Sequence, residues 1–165
     1  MKSIILIFVA NVLIISISAQ TIRPVLIGKV YKKPQELPFF KSFTDIGGLV
    51  MEPTNTGYTL NRITNGKCTY ILLEKIINPN SRGTIYYKLL DTLNLGMIDI
   101  KKTLVMLEGC MINNKSDSEI IATVKNANKE KFSSVLKAWR ANRKTNKFEK
   151  ILSKGISCVD FDNDD

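Results

Sequence analysis

The side chains of this chain that could do chemistry are carboxylates, lysines, arginines and three cysteines. Its 165 residues contain no histidine. Without imidazole there is no Ser-His-Asp or Cys-His nucleophile, no histidine metal site and no imidazole acid or base at neutral pH. No G-x-x-x-x-G-K-[ST] or G-x-G-x-x-G run is present to cradle a phosphate, and no G-x-S-x-G elbow to expose a serine. Asp45-Ile46-Gly47 and Asp91-Thr92-Leu93 both miss the Asp-Thr/Ser-Gly pattern of aspartic proteases. A pair of carboxylates for hydrolysis needs spatial proximity and no motif. A carboxylate-dependent hydrolase therefore stays open as an alternative. The expectation is a protein that is not an enzyme, with no cofactor and no metal.

Charge is the stronger signal. Lys and Arg number 24 against 15 Asp and Glu, a formal net charge of +9. Residues 125–154 hold ten basic side chains against Glu130 and Glu149, while the ending Val159–Asp165 holds four aspartates. Arg140, Arg143, Lys144, Lys147 and Lys150 are the candidate anion-binding residues, clustered about one polar turn. Such a cluster suits a sulfated glycan or an acidic protein. It also suits a plain solvated hairpin whose lysines discourage edge pairing. Nucleic acid is not an expected partner.

Cys68, Cys110 and Cys158 allow at most one intrachain bridge and leave one thiol over. The preferred pair is Cys110–Cys158, which would tie the C-terminal segment to the body; the other two pairings remain open. The odd cysteine leaves either a monomer or a disulfide-linked dimer. Long cysteine spacings without histidine do not suggest zinc. Asn114-Lys115-Ser116 is the one N-x-[ST] sequon, so Asn114 is the candidate glycosylation site.

The elements that must position these groups follow from punctuation and periodicity. Residues 20–57 contain Pro24, Pro34, Pro38 and Pro53 together with Gly47-Gly48. They read as an irregular N-terminal arm with a short strand near Val25–Val30. Residues 58–159 alternate apolar runs with turn clusters every 8–12 residues, the pattern of an antiparallel meander. Residues 160–165 form an acidic tail. Helical spacing competes at Ile85/Leu89/Leu93 and at Ile100/Leu104/Leu107/Met111, the latter with Asp99 as N-cap. The expected helix is 99–110. Phe132, Val135, Leu136 and Trp139 also fit a helix, but a hairpin placing Trp139 and Phe148 on one sheet face is preferred. The fold class is α+β, mostly an antiparallel β meander (a sheet or small barrel) with one or two short helices.

Residues 1–19 read as a signal peptide. Lys2 precedes the apolar run Ile4–Ile17, and small residues at Ser16, Ser18 and Ala19 end it. The run is shorter than the ~20 residues of a membrane span. Cleavage after Ala19, with a cut after Ser18 as the alternative, is expected to leave a secreted chain with no membrane span.

The runs Ala138-Trp139-Arg140-Ala141-Asn142, Lys147-Phe148-Glu149-Lys150-Ile151 and Gly155-Ile156-Ser157-Cys158 resemble the C-terminus of small secreted dipteran proteins. The resemblance covers the last third of the chain. It implies an extracellular salivary protein, with a vasoactive or anti-haemostatic role. The expected function is a secreted, non-enzymatic effector or binding protein acting on an extracellular, host target. A small-ligand carrier with a β-barrel pocket is the other alternative.

Overall fold

The computed structural model describes residues 23–77, 84–127 and 130–160. The expected signal peptide and most of the acidic tail lie outside these residues. The described chain is mostly antiparallel β, and three open sheets are stacked beneath a covering arm.

The first sheet contains β1 (Val30–Tyr31), β2 (Thr44–Val50), β3 (Tyr58–Thr64), β4 (Thr69–Ile77) and β5 (Tyr86–Gly96), in the order β1-β5-β4-β3-β2. Its inner strands β3, β4 and β5 carry buried apolar side chains on both faces because both faces are covered there, while the edge strand β2 is largely exposed. Alternation along β4 sends Ile71 and Leu73 to one face and Tyr70 and Leu72 to the other. A second sheet contains β6 (Thr103–Met106), β9 (Ile120–Lys125), β11 (Val135–Asn142) and β12 (Lys147–Ile151), in the order β12-β11-β9-β6. A third contains β7 (Cys110–Ile112), β8 (Lys115–Ser116), β10 (Lys131–Phe132) and β13 (Ile156–Val159). Leu60, Ile71, Leu73 and Leu93 of the first sheet pack on Ile121 and Ala141 of the second. On its other face the second sheet packs Ile120, Ala122, Val124 and Ala138 against Phe132, Ile156 and the cystine of the third. A fully buried aliphatic side chain contributes roughly 1.5–3 kcal/mol, so these two layers supply much of the stability.

The stretch expected as an irregular arm has more order than that. A helical turn, Arg23–Leu26, replaces the strand expected near Val25–Val30, and β1 begins only at Val30. Two 3₁₀ turns follow, Pro34–Glu36 and Pro38–Phe40, each opened by its proline. Proline fits there because its fixed φ suits the first turn and its missing donor is not needed. Leu26, Tyr31, Leu37, Phe40 and Phe43 are buried against the outer face of the first sheet. Phe39, Phe40, Phe43 and Tyr70 form an aromatic cluster with centroids 5.0–6.1 Å apart. The arm then supplies β2, a full seven-residue edge strand.

The expected helix over 99–110 does not form. Asp99 closes a turn instead: its carboxylate accepts the Lys101 amide at 3.1 Å and its carbonyl accepts those of Lys102 and Thr103. Thr103–Met106 then runs as a strand against β9. Leu104 faces the layer toward the third sheet and Val105 the layer toward the first. Ile100, the start of the helical stripe, is 74% exposed. An apolar run buried on both faces satisfies a period of 2 and of 3.6 equally well, and pairing with β9 decides between them. Trp139 and Phe148 do lie on a hairpin: β11 pairs with β12 through Trp139↔Lys150 and Ala141↔Phe148. Both aromatics pack on the layer between the first two sheets.

The disulfide joins Cys110 to Cys158, which are direct cross-strand partners on β7 and β13. It closes the third sheet 48 residues apart in sequence. Cys68 is a free thiol, half-buried against the arm's aromatic cluster. Among the described residues no helix is long and apolar enough to cross a membrane.

Candidate functional site

Three regions hold the polar chemistry: the β11–β12 hairpin, the clefts along β2, and the β7–β8 turn. The hairpin turn is built by Asn142, whose side-chain oxygen accepts the amides of Lys144 at 2.9 Å and Thr145 at 3.3 Å. Asn146 closes it at φ 56°, a left-handed position asparagine tolerates.

The five basic residues expected here as one anion site divide into two groups. Arg140 and Arg143 turn inward. Arg140 donates to Glu119 at 3.0 Å and to Asp117 at 2.7 Å. Arg143 donates to the second oxygen of Glu119 at 2.7 Å and to the Glu52 carbonyl at 2.8 Å. Burial works against ionisation of Glu119, but the hydrogen bonds from Arg143 and Arg140 outweigh it and hold its carboxyl below the usual range. Asp117 in turn pushes the Arg140 guanidinium up. The Tyr58 hydroxyl, 3.1 Å from the Arg143 carbonyl and 3.0 Å from Asn146 Oδ1, adds a tie to the first sheet. These two arginines therefore fasten the hairpin to its neighbours.

Lys144, Lys147 and Lys150 are exposed and make no ion pair among the described residues. Lys144 stands in the turn and Lys147 at the last paired position, opposite Asn142. Lys150 lies three residues from Lys147 on the same strand, and alternation sends the two to opposite faces. The tip thus gathers Lys144 and Lys147, and Lys150 stands apart beside Trp139.

Two buried carboxylates went unforeseen. Glu74 is 1% exposed, and its oxygens accept the Tyr31 hydroxyl at 2.5 Å and the Thr59 hydroxyl at 3.0 Å. Burial dominates, and its carboxyl is pushed up to about 7. Burial and then the Glu74 charge push the Tyr31 phenol up as well. Asp91, also 1% exposed, accepts the Phe148 amide at 2.8 Å and so caps the outer edge of β12. Its other oxygen has no partner among the described residues. A single acid inside an apolar strand is the sequence signal for both: Glu74 within Thr69–Ile77 and Asp91 within Tyr86–Gly96. The two point to opposite faces of the first sheet, Glu74 toward the arm and Asp91 toward the second sheet.

Among the described residues, clefts open along β2. One of about 290 Å³ lies on the arm side and includes Asp45, Thr59, Glu74 and Tyr87. One of about 280 Å³ lies on the side of the second sheet and includes Arg62, Val105, Leu107 and Glu108. A third, of about 230 Å³, lies at the Val50–Glu52 end. Asn114, the candidate glycosylation site, is exposed in the β7–β8 turn, where Asn113 and Asn114 hold φ of 50° and 62°. Among the described residues no cluster of His, Cys, Asp or Glu has the makings of a metal site.

No protein-family model, no curated protein and no solved structure matches this chain.

Proposed function

We propose that this is a secreted, non-enzymatic binding protein that meets an extracellular polyanion, a sulfated glycan first, through the lysines of the β11–β12 tip. The observation that carries the reading is the division within the hairpin. Arg140 and Arg143 are neutralised by Asp117 and Glu119 and hold the turn in place, while Lys144 and Lys147 face solvent with their charge unspent. A turn already held in place presents compact ammonium groups to a chain of sulfates, so the cost of ordering on the protein side is confined to the lysine stems. On the C-terminal resemblance, the setting of that binding is a salivary factor with a vasoactive or anti-haemostatic role on a host target.

A carrier would need an enclosed apolar pocket, about 300–1,000 Å³ for a small molecule. The space between the sheets is instead filled by Leu60, Ile71, Leu73 and Ile121, and the clefts along β2 are open and carry charges. One observation favours the hydrolase reading: Asp45 and the raised carboxyl of Glu74 line the same cleft. Against it, both Glu74 oxygens are engaged by Tyr31 and Thr59 and the residue is 1% exposed.

The test is retention on a heparin column. Replacing Lys144 and Lys147 by Ser should shift elution to clearly lower salt, with the circular dichroism spectrum unchanged. Lys150→Ser, away from the tip, should shift it less. Unchanged elution of the double variant would overturn the reading. Arg143 is excluded from the test because it fastens the turn. If heparin is not retained but an acidic protein is, the sulfated-glycan assignment falls.

A further inference from the structure

We infer that the free edge of β2 is a docking strand for an extended basic peptide, which would add to the first sheet as a sixth strand.

β2 is the last strand of its sheet, paired to β3 alone among the described residues. The Met51 amide donates to the Tyr58 carbonyl at 2.9 Å, which fixes the phase of the ladder. Antiparallel pairing alternates inward and outward groups, so the backbone donors and acceptors of Gly48 and Val50 point away from β3. Native sheets usually guard such an edge with lysine, proline, a charge pointing inward or a β-bulge, and β2 carries one bulge, between Asp45 and Gly47. From Gly48 to Val50 the edge carries none of these. It carries Gly47-Gly48; a Cβ at Gly48 would run into the Leu60 carbonyl oxygen of β3, so that glycine serves the existing β2–β3 pairing, whereas Gly47 leaves the strand open to an approaching backbone. At Gly47, with φ of 110°, a Cβ would meet no atom within 4 Å.

Strand addition needs main-chain groups for affinity and alternating side-chain pockets for selectivity. Both are present. The cleft on the arm side and the cleft on the second-sheet side flank the same residues, Gly47 to Leu49, from opposite faces of the sheet. A strand laid along β2 would send alternate side chains into each.

The charges choose the occupant. Glu74 lies beneath the arm-side cleft, 1% exposed and closed off by Tyr31 and Thr59, so in a protein of formal charge +9 Asp45 is the exposed carboxylate of this cleft. Its one cation, Lys32, lies over the Tyr86 ring at 5.2 Å. Asp45 is exposed and already holds its own turn, accepting the Gly47 amide at 2.9 Å, so its carboxylate is fixed in direction. A lysine or arginine of the added strand would meet it there. The opposite cleft offers Val105 and Leu107 beside Arg62 and Glu108, which suits an aliphatic side chain. The fitting partner is a strand that alternates basic and aliphatic residues. This surface is independent of the lysine tip.

The probe is the peptide acetyl-Lys-Val-Lys-Val-Lys-Val-Lys-amide, titrated into the full chain and followed by fluorescence anisotropy and backbone amide shifts. Binding should saturate below about 0.1 mM, with the largest shifts at Gly48 and Val50. Val50→Pro removes an outward donor and should weaken binding by roughly tenfold or more; Asp45→Asn, which keeps an acceptor for the Gly47 amide and removes the charge, should weaken it as well. Heparin retention should not fall in either variant. No saturation by about 1 mM, equal binding of the Glu-Val counterpart, unchanged affinity in both variants, or shifts that map away from β2 would each overturn the inference. So would a concentration-dependent dimer of the free protein that Val50→Pro dissolves, since the edge would then serve a second copy.

Discussion

Glu74 and Glu119 are both withdrawn from water, and the fold treats them in opposite ways. Glu74 sits beneath the arm with two hydroxyl donors, Tyr31 and Thr59, and no cation within the contacts that hold it. Its carboxyl is pushed up to about 7. Glu119 sits at the seam between β9 and the hairpin turn, with the guanidiniums of Arg140 and Arg143 on its two oxygens, and its carboxyl is held below the usual range. Burial raises a carboxyl pKa; only charge-assisted partners reverse it. The difference separates two kinds of region. The hairpin seam is locked by ions, and the arm is held by apolar packing with one strained acid beneath it.

The largest effect expected from breaking this contrast is at Glu119. Glu119→Ala leaves Arg143 without its carboxylate and Arg140 with Asp117 alone. The loss should be about 3 kcal/mol, measured by urea unfolding at neutral pH. A loss under about 0.5 kcal/mol would mean the seam is an ordinary surface ion pair.

Glu74→Gln should act in the other direction. Between pH 4.5 and about 7 the folded state holds a proton that the unfolded chain has released. This contribution is fully present below pH 4.5 and is lost as pH rises through 7. Gln keeps the hydrogen-bonding shape without the charge, so it should stabilise by about 2 kcal/mol at pH 8 and by little at pH 4.5. The stability of the variant should be flatter across that window; an unchanged pH slope would dismiss the strained-acid account. Glu119, with a depressed pKa, contributes in the reverse sense: its stability is present above pH 4.5 and lost as pH falls.

The smallest effect belongs to Tyr31→Phe, which removes one donor from Glu74 and keeps the ring packed. About 1 kcal/mol should be lost at pH 8, where Glu74 is charged, and less at pH 5. Equal losses at both pH values would assign Tyr31 a packing role alone.

Parts of this arrangement are legible in the sequence. The hairpin around Arg143–Asn146 was readable because a short polar turn separates two apolar runs, and Asn142 supplies the turn chemistry. The Cys110–Cys158 bridge ties the C-terminal segment to the body, the reason the sequence favours that pair. The helix expected at 99–110 was misread because its stripe of Ile100, Leu104, Leu107 and Met111 fits two periods at once. The arm's order was missed because proline punctuation hides the fact that Leu37, Phe40 and Phe43 all face one sheet.

Sequence alone determined what needs only neighbours along the chain. It set the alternation of the strands, the positions of the turns, the absence of imidazole chemistry and the concentration of basic residues near the C-terminus. Only the tertiary structure decided which charges remain outward. Arg140 meets Asp117 across 23 residues and Glu119 across 21, and Arg143 meets Glu119 across 24. Coulomb energy depends on separation in space and on the dielectric between the charges, and a count along the chain carries neither.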